Sequence, residues 1–349
     1  MAYGARLDSG LSESSQGFES PILRHVHRHE RRDDLSCSGD RGSGVAVDPD
    51  LEGGAAFIDG RIVPMSQARI PITDTGFTRS DLTYDVVSVW DGAFDRLDDH
   101  LERFERNCRQ LRLTLPHELV DVRRILIELI QASEIREAYV EMICTRGPSV
   151  NGSRDPRTFV NCFYAFAIPY VWILKPELAD VGMDAVIART ARRIPSDSVD
   201  PTVKNFHWGD LTKGLFEAYD RGGDQSLLLD HEGNLTEGPG YNVFAVVDGR
   251  LVTPSNGVLE GITRRTILEL AEADGLETSE TQVSEHDVRS ATELFATSTA
   301  GGVMPITRLD ASPVSDGQVG AVTRRLRDLY WAAHTTEPFA TRVLPASTA

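Results

Sequence analysis

Lysine is the first residue type that could carry chemistry here, because only three of the 36 basic side chains are lysines. Lys175 precedes a proline and Lys213 lies on the polar side of a predicted helix, so both are expected to be exposed. Lys204 stands among apolar and aromatic residues in DPTVKNFHWGDL. Burial near apolar groups lowers the pKa of an amine and makes it nucleophilic. Lys204 is the candidate nucleophile, and the alternative is a lysine whose stem covers an apolar edge while its amine stays in water.

An acidic loop residue is the second candidate. Glu237 follows a predicted strand in TEGPGYN, where two glycines and a proline require a tight loop. A carboxylate fixed in such a loop could hold a cationic ring nitrogen. A solvent-facing turn glutamate is the alternative interpretation.

Two glycine-containing segments could bind a phosphate. In EGITRRT, Thr263 follows a glycine at a predicted helix N-terminus, where free N–H groups favour an anion. In ATSTAGG, Ser298 and Thr299 precede two glycines, which is typical of an anion-binding nest. Simple helix capping by threonine is the alternative. Together with Lys204 and Glu237, these segments supply what pyridoxal 5'-phosphate needs from a protein.

Turn signals and apolar periods predict the elements that must position these residues. Hairpin turns are predicted at three Asp-Gly pairs: Asp59-Gly60, Asp91-Gly92 and Asp248-Gly249. Strands are also predicted for AYVEMICTR, VNCFYAFAI and LFAT, and at 185–190 and 227–229. Helices are predicted over 101–111, 119–129 and 208–219, from about 262, after Ser284, and over 322–330.

This order of elements predicts a two-domain fold of the α+β or α/β class. Residues 1–53, rich in Gly, Ser, Asp and Arg, predict a disordered N-terminal extension. A small α+β domain is predicted for 54–166 and a large cofactor-binding α/β domain for 179–349. Two prolines and the lack of a clear hydrophobic period predict an interdomain linker at 167–178. Strands and helices do not alternate regularly, which argues against one doubly wound sheet.

Composition argues against several classes of partner. A net charge of -17 disfavours nucleic acid and anionic membranes. No apolar run reaches the roughly 18 residues of a spanning helix. The N-terminus lacks the apolar stretch of a signal peptide, so we expect a cytoplasmic protein. The four cysteines include no C-x-x-C pair, and we expect neither a metal site nor a disulfide framework.

Six ordered segments resemble the class IV, or fold-type IV, pyridoxal-phosphate aminotransferases, and look most like the (R)-selective amine transaminases. They are GFTRSDLTYDVVSVWDG, RLDDHLERF, DPTVKNFHWGDL, LTEGPGYNV, GVLEGITR and TSTAGGVMPIT. The resemblance covers roughly residues 54–335. It implies a D-amino acid aminotransferase-like or branched-chain aminotransferase-like fold, pyridoxal 5'-phosphate as cofactor, and a homodimer with active sites near the subunit interface.

The resemblance also assigns cofactor roles by position. Lys204 would form the Schiff base with the cofactor and later move the substrate proton. Glu237 would pair with the pyridine nitrogen. The phosphate would be held by Arg103, Ile262, Thr263 and Thr299.

Substrate-pocket residues follow from the same resemblance. Tyr84, Tyr139 and Glu141 match positions that line the pocket in amine transaminases. Tyr139 and Glu141 alternate in AYVEMIC and should face the same side of the sheet, a half-buried sheet face being the alternative. Gly209 stands where branched-chain relatives usually have a tyrosine, which favours the amine-transaminase branch.

Two positions depart from the amine-transaminase pattern. Arg79 replaces a histidine and could pair with a substrate carboxylate, which would favour D-amino acids or keto acids. It could equally point at Asp81 or at solvent. In the unusual loop GPSVNGSRD, Arg154 is the candidate for binding a keto-acid carboxylate, and Asn151 is another possible occupant of that position.

The implied reaction is a ping-pong transfer of an amino group from an (R)-amine or D-amino acid to a keto acid or ketone such as pyruvate. Three alternatives stay open at this point. They are a branched-chain L-amino acid aminotransferase, a lyase of the same fold similar to aminodeoxychorismate lyase, and a non-catalytic relative that binds the cofactor.

Overall fold

The computed structural model describes residues 49–347, and its first sheet has seven antiparallel strands. Its strands are β1 (Ala55–Ile58), β2 (Arg61–Pro64), β3 (Leu82–Trp90), β4 (Ala93–Asp95), β5 (Ala138–Thr145), β6 (Cys162–Pro169) and β15 (Ala340–Arg342). Their spatial order is β15-β4-β3-β5-β6-β1-β2. Every pair in this order is antiparallel.

Helices cover one face of this sheet and leave the other free for a site. The short helix α1 (Thr75–Arg79) begins beside Thr145 at the end of β5, and the covering helices are α2 (Leu97–Gln110) and α3 (Leu119–Ser133). Val87 and Val140 are fully buried in one apolar core with Phe104 of α2. Since successive strand residues point to opposite faces, Tyr84 and Tyr139 are left on the face away from these helices.

The second sheet has eight strands of mixed direction. They are β7 (Met183–Ile187), β8 (Gln225–Leu227), β9 (Asn242–Val247), β10 (Arg250–Pro254), β11 (Thr278–Thr281), β12 (Glu293–Ser298), β13 (Gly302–Leu309) and β14 (Ser312–Pro313). Seven run in the order β11-β10-β9-β12-β13-β7-β8, and β14 pairs with β13. The pairs β10–β11, β7–β13 and β7–β8 are parallel.

Both faces of the second sheet are packed. Its helices are α4 (Gly209–Asp220), α5 (Ile262–Ala273), α6 (Glu285–Ser290) and α7 (Ala321–Ala333). Phe244 and Phe295 stack in parallel and pack with α5 and α7. The opposite face carries a second core that contains Val243 and Ala296. The sheet is therefore a rigid base for the loops that leave its strands.

Most predicted elements are confirmed, including the three hairpins. Helix α1 and strands β11, β13, β14 and β15 were not predicted. Helical spacing predicts that Tyr219 lies on the apolar side of α4 with Leu211 and Leu215, but it is 53 % exposed. Strand β6 continues to Pro169, so the predicted linker at 167–178 begins inside a strand.

The ends of the chain differ most from the predicted boundaries. Strand β15 pairs with β4 of the first sheet, although residues 179–349 were assigned to the second domain. Which sheet a three-residue strand joins depends on contacts with residues far away in the chain, and the sequence of the strand itself does not encode them. The predicted extension 1–53 lies outside the described residues except for its last five. Within residues 49–347, none of the helices has both the length and the apolar character that crossing a membrane requires.

Candidate active site

A cavity of about 520 Å³ lies between the free face of the first sheet and the loops of the second. It brings together residues that are distant in sequence. Eight residues predicted from the sequence line it: Tyr84, Arg103, Tyr139, Lys204, Glu237, Ile262, Thr263 and Thr299. The structure therefore assembles the predicted amine, acid and anion-binding segments in one place.

Lys204 is held at the cavity wall through its backbone. Its carbonyl accepts hydrogen bonds from the Thr83 hydroxyl at 2.7 Å and from the Tyr84 N–H at 3.2 Å. Its Nζ lies 4.5 Å from the centroid of the Tyr84 ring, and that ring packs against Phe206. The amine thus rests on the aromatic face of a residue that also lines the cavity.

Glu237 lines the same cavity and belongs to a buried charge network. Its Oε1 accepts from Arg193 Nε at 2.8 Å, and its Oε2 accepts from the Leu259 N–H at 3.0 Å. Arg193 also donates to Asp210 Oδ2 at 2.7 Å. Burial raises the pKa of Glu237, while Arg193 and the Leu259 N–H oppose that rise. The carboxylate is fixed where it could face a cationic ring nitrogen.

The N-terminus of α5 opens the anion-binding end of the cavity. Gly261 is the N-cap residue and has no side chain to satisfy the first N–H groups, so these groups and the helix dipole attract an anion. Ile262, Thr263 and Thr299 line this part of the wall. Thr297 also lines it, and its buried Oγ1 has no hydrogen-bond partner within residues 49–347. An unpaired buried hydroxyl beside a helix N-terminus fits the phosphate of pyridoxal phosphate.

Arg103 reaches the same end of the cavity from α2. Its Nε and Nη2 donate to the two carboxylate oxygens of Asp85, each at 2.7 Å. Its Nη1 donates to the carbonyl of Glu260 at 3.0 Å, directly before α5. The guanidinium is 4 % exposed and is therefore fixed between the first sheet and the α5 N-terminus.

Tyr139 lines the cavity, and Glu141 lies beside it on the same strand. The Tyr139 hydroxyl donates to Glu141 Oε2 at 3.1 Å, which confirms that the two residues share a face of β5. Burial raises the pKa of Glu141 to about 7, against the opposing effects of Tyr139 and Lys204. Apolar side chains continue this wall, among them Phe166 and Ile168.

Two predicted substrate residues lie elsewhere in this chain. Arg79 is exposed at the end of α1, and Arg154 is exposed in the turn before the short 3-10 helix Pro156–Thr158. Neither lines the cavity, and the third predicted residue outside the lining is Glu141. Their role toward a substrate stays a prediction.

Sequence reasoning missed four residues of the site: Asp85, Arg193, Asp210 and Thr297. An acidic residue inside the apolar strand LTYDVVSVW was a usable signal for Asp85. The chain has 33 arginines, so Arg193 gave no signal of its own. Thr297 precedes Ser298 and Thr299, but only the strand direction shows that its hydroxyl faces the cavity.

Comparison with known proteins identifies the family. The family model described as amino-transferase class IV matches residues 82–309, which is more than half of the chain. The chain is a class IV aminotransferase. It is thus a transferase that depends on pyridoxal phosphate, and Lys204, Glu237 and the α5 N-terminus provide an amine, an acid and an anion site that fit this cofactor.

Named relatives include two kinds of class IV aminotransferase. The D-alanine aminotransferase of Staphylococcus epidermidis is 29 % identical over 276 residues, covering 78 % of this chain and 94 % of that protein. The branched-chain-amino-acid aminotransferase of Salmonella typhimurium is 25 % identical over 289 residues, covering 80 % and 93 %. The family is therefore shown by the comparisons, while the substrate differs among the relatives.

Solved structures confirm the fold. The T.th. branched-chain amino acid aminotransferase with pyridoxamine 5'-phosphate superimposes with a TM-score of 0.78 at 25 % identity, covering 84 % of this chain and 99 % of that one. The branched-chain aminotransferase of Thermoproteus uzoniensis with norvaline gives 0.76 at 26 %, covering 83 % and 99 %. The predicted fold-type IV architecture and the predicted cofactor are thus confirmed.

Proposed function

We propose that this class IV aminotransferase moves an amino group from an (R)-amine or a D-amino acid to a keto acid or ketone such as pyruvate, in a ping-pong reaction. The observation that carries the proposal is the pairing of the cations in the cavity, which leaves no free guanidinium among the described lining residues for a substrate carboxylate and so favours the (R)-amine as donor. Arg103 is paired with Asp85, and Arg193 with Glu237 and Asp210. Among the described lining residues, this leaves Lys204 as the only lysine or arginine without a carboxylate partner in the cavity wall.

The remaining wall supports an apolar substituent on the substrate. Phe166, Ile168, Trp208 and Leu211 line the cavity, and burying an apolar group against them is favourable. Glu141 adds a carboxylate beside Tyr139 rather than a cation. A substrate with a second negative charge would meet repulsion here, whereas a neutral substituent would not.

The roles of the protein groups follow from their contacts. When bound, pyridoxal phosphate supplies an aldehyde that takes up the amino group and a ring that accepts electrons. Lys204 is the only lysine among the described lining residues, so its amine is the group that would hold and return the substrate proton. Glu237, held by Arg193 and the Leu259 N–H, would keep a proton on the ring nitrogen.

The D or (R) preference draws support from the relatives and from Gly209. D-alanine aminotransferases stand among the similar proteins at 29 % identity. Gly209 begins α4, and a side chain added there would meet no atom within 4 Å. Gly209 is exposed and does not line the cavity, so its bearing on the substrate rests on the resemblance to amine transaminases. A branched-chain L-amino acid aminotransferase is the second candidate, because other relatives carry that name.

Single half-reactions test the proposal. D-alanine, (R)-1-phenylethylamine and L-leucine are each added to the yellow holoenzyme without an acceptor, and the visible absorbance is followed. We expect the yellow form to disappear with the first two donors and to persist with L-leucine. Loss with L-leucine alone would assign the enzyme to the branched-chain side. Pyruvate release from aminodeoxychorismate without an amino acceptor would favour the lyase.

We further expect a homodimer. Ile70, Ile72 and Phe77 are exposed by 47 %, 75 % and 63 % within one short segment that ends in α1. Clustered apolar side chains of this kind are typical of a surface that binds a protein. Sedimentation of the holoenzyme at several concentrations tests this expectation. The cytoplasmic location stays a prediction.

A further inference from the structure

Asp85 is a buried carboxylate that none of the predicted roles uses. It lies in the middle of β3 and is fully buried. Its neighbours Tyr84 and Val86 line the cavity. Because strand residues alternate, Asp85 points to the opposite face, toward α2. The carboxylate therefore sits one layer behind the cavity wall.

Both oxygens of Asp85 are committed to fixed donors. Oδ2 accepts from Arg103 Nε and Oδ1 from Arg103 Nη2. Oδ1 also lies 2.8 Å from His100 Nδ1 and 2.8 Å from the Val86 N–H. A carboxylate only accepts, so the contact with His100 requires the proton on Nδ1.

This contact fixes the orientation of the Arg103 guanidinium. Of its five N–H groups, Asp85 takes two and the Glu260 carbonyl takes a third. One N–H remains on each terminal nitrogen. Arg103 lines the cavity, and its contact with Glu260 adjoins the start of α5. The two remaining N–H groups are therefore the donors that Arg103 can offer to an anion.

Asp85 also brings an opposing effect. Burial raises the pKa of this carboxyl, but Arg103 and His100 overcome that effect and hold the pKa well below its usual range. The ionised carboxylate neutralises the charge of Arg103, which weakens attraction for a phosphate. When Asp85 is changed, loss of the Arg103 orientation would weaken phosphate binding, whereas loss of the neutralising charge would strengthen it.

We propose that Asp85 is a positioning residue for the cofactor phosphate, which it serves by holding the Arg103 fork toward the α5 N-terminus. Orientation outweighs neutralisation because a planar guanidinium recognises phosphate through two aligned N–H groups, and a rotated guanidinium loses both. The inference concerns the cofactor alone and does not depend on the amine substrate.

Two ligands that differ only in phosphate provide the test. The apoenzyme is titrated with pyridoxal 5'-phosphate and with pyridoxal, and the Kd of each is read from the absorbance of the lysine-bound ligand. Asp85→Asn should raise the Kd for pyridoxal phosphate about tenfold or more. The Kd for pyridoxal should change by less than about twofold, because no phosphate contact is involved.

A matched control removes an acid–arginine pair outside the cavity. Asp81 pairs with Arg146 at 3.0 Å, and Asp81→Asn should leave both Kd values unchanged. A double-mutant cycle with Arg103→Lys isolates the path of action. If Asp85 acts through the fork of Arg103, Asp85→Asn should have little further effect in the Arg103→Lys background.

Three results would overturn the proposal. Unchanged or tighter binding of pyridoxal phosphate by Asp85→Asn would mean that neutralisation dominates. An equal rise of both Kd values would mean a general structural role. If the effects of the two substitutions on Kd added fully in the double variant, Asp85 would not act through Arg103. If Asp85→Asn does not fold, His100→Gln removes one contact to Oδ1 and should weaken binding of pyridoxal phosphate alone.

Discussion

Replacing Asp95 with asparagine should remove a pH dependence from the stability of this enzyme. Asp95 ends β4 and is 5 % exposed. Burial raises the pKa of its carboxyl to about 7, and nearby Arg96 only partly opposes the rise. His334 Nδ1 lies 3.6 Å from Asp95 Oδ2, but burial lowers the pKa of His334 to about 3, so its ring stays neutral near pH 7.

The size of the effect follows from the two pKa values of Asp95. In the unfolded chain the carboxyl has its ordinary pKa of 3.8. Between pH 4 and 7 the unfolded chain therefore releases a proton that the folded enzyme keeps. A stabilisation that is fully present below pH 4 is lost as the pH rises through about 7. Each pKa unit is worth about 1.4 kcal/mol, so the full loss is about 4 kcal/mol.

Urea unfolding at pH 4 to 8 measures this loss, with protomer and cofactor concentrations held constant. Trp331 lies 5.1 Å from the His334 ring and provides a fluorescence signal near the site. We expect the free energy of unfolding of the wild type, relative to Asp95→Asn, to fall by about 4 kcal/mol over this range. Asp220→Asn, at the exposed end of α4, is the control. A difference that stays constant or grows with pH would refute the reasoning, because Asp95 would then be ionised beside a protonated His334.

Three further outcomes are expected at the site. Lys204→Ala should abolish turnover and the borohydride-reducible link to the cofactor, and retained transamination would remove the mechanism. Glu237→Gln should lower kcat at least about a hundredfold, because a neutral amide cannot stabilise the proton on the ring nitrogen. An unchanged kcat would mean that Glu237 does not act on that nitrogen. Burial raises the pKa of Glu141 to about 7, so the KM for pyruvate should rise with pH through 7 as the carboxylate becomes charged. Glu141→Gln should flatten that rise, and an equal rise in both enzymes would contradict the assignment.

Local patterns predicted the elements well because their signals are short-range. The Asp-Gly turns fix the three hairpins, since Asp59, Asp91 and Asp248 adopt the positive φ that such turns need. Helical spacing identified α2, α3 and α7 by apolar residues that these helices bury. Strand β15 escaped prediction because its pairing with β4 joins residues that are far apart in the chain.

The sequence by itself determined which groups this enzyme has for its chemistry. A scarce lysine, a loop carboxylate and two anion-binding segments are properties of residue type and near neighbours, and they indicated Lys204, Glu237, Thr263 and Thr299. Only the tertiary structure decided which charges are paired. The pairing of Asp85 with Arg103, and of Arg193 with Glu237, depends on strands and helices that meet across long stretches of chain. The effect of a buried charge depends on the charge that it is paired with. The residues that position the cofactor-binding groups were therefore identified only in the folded protein.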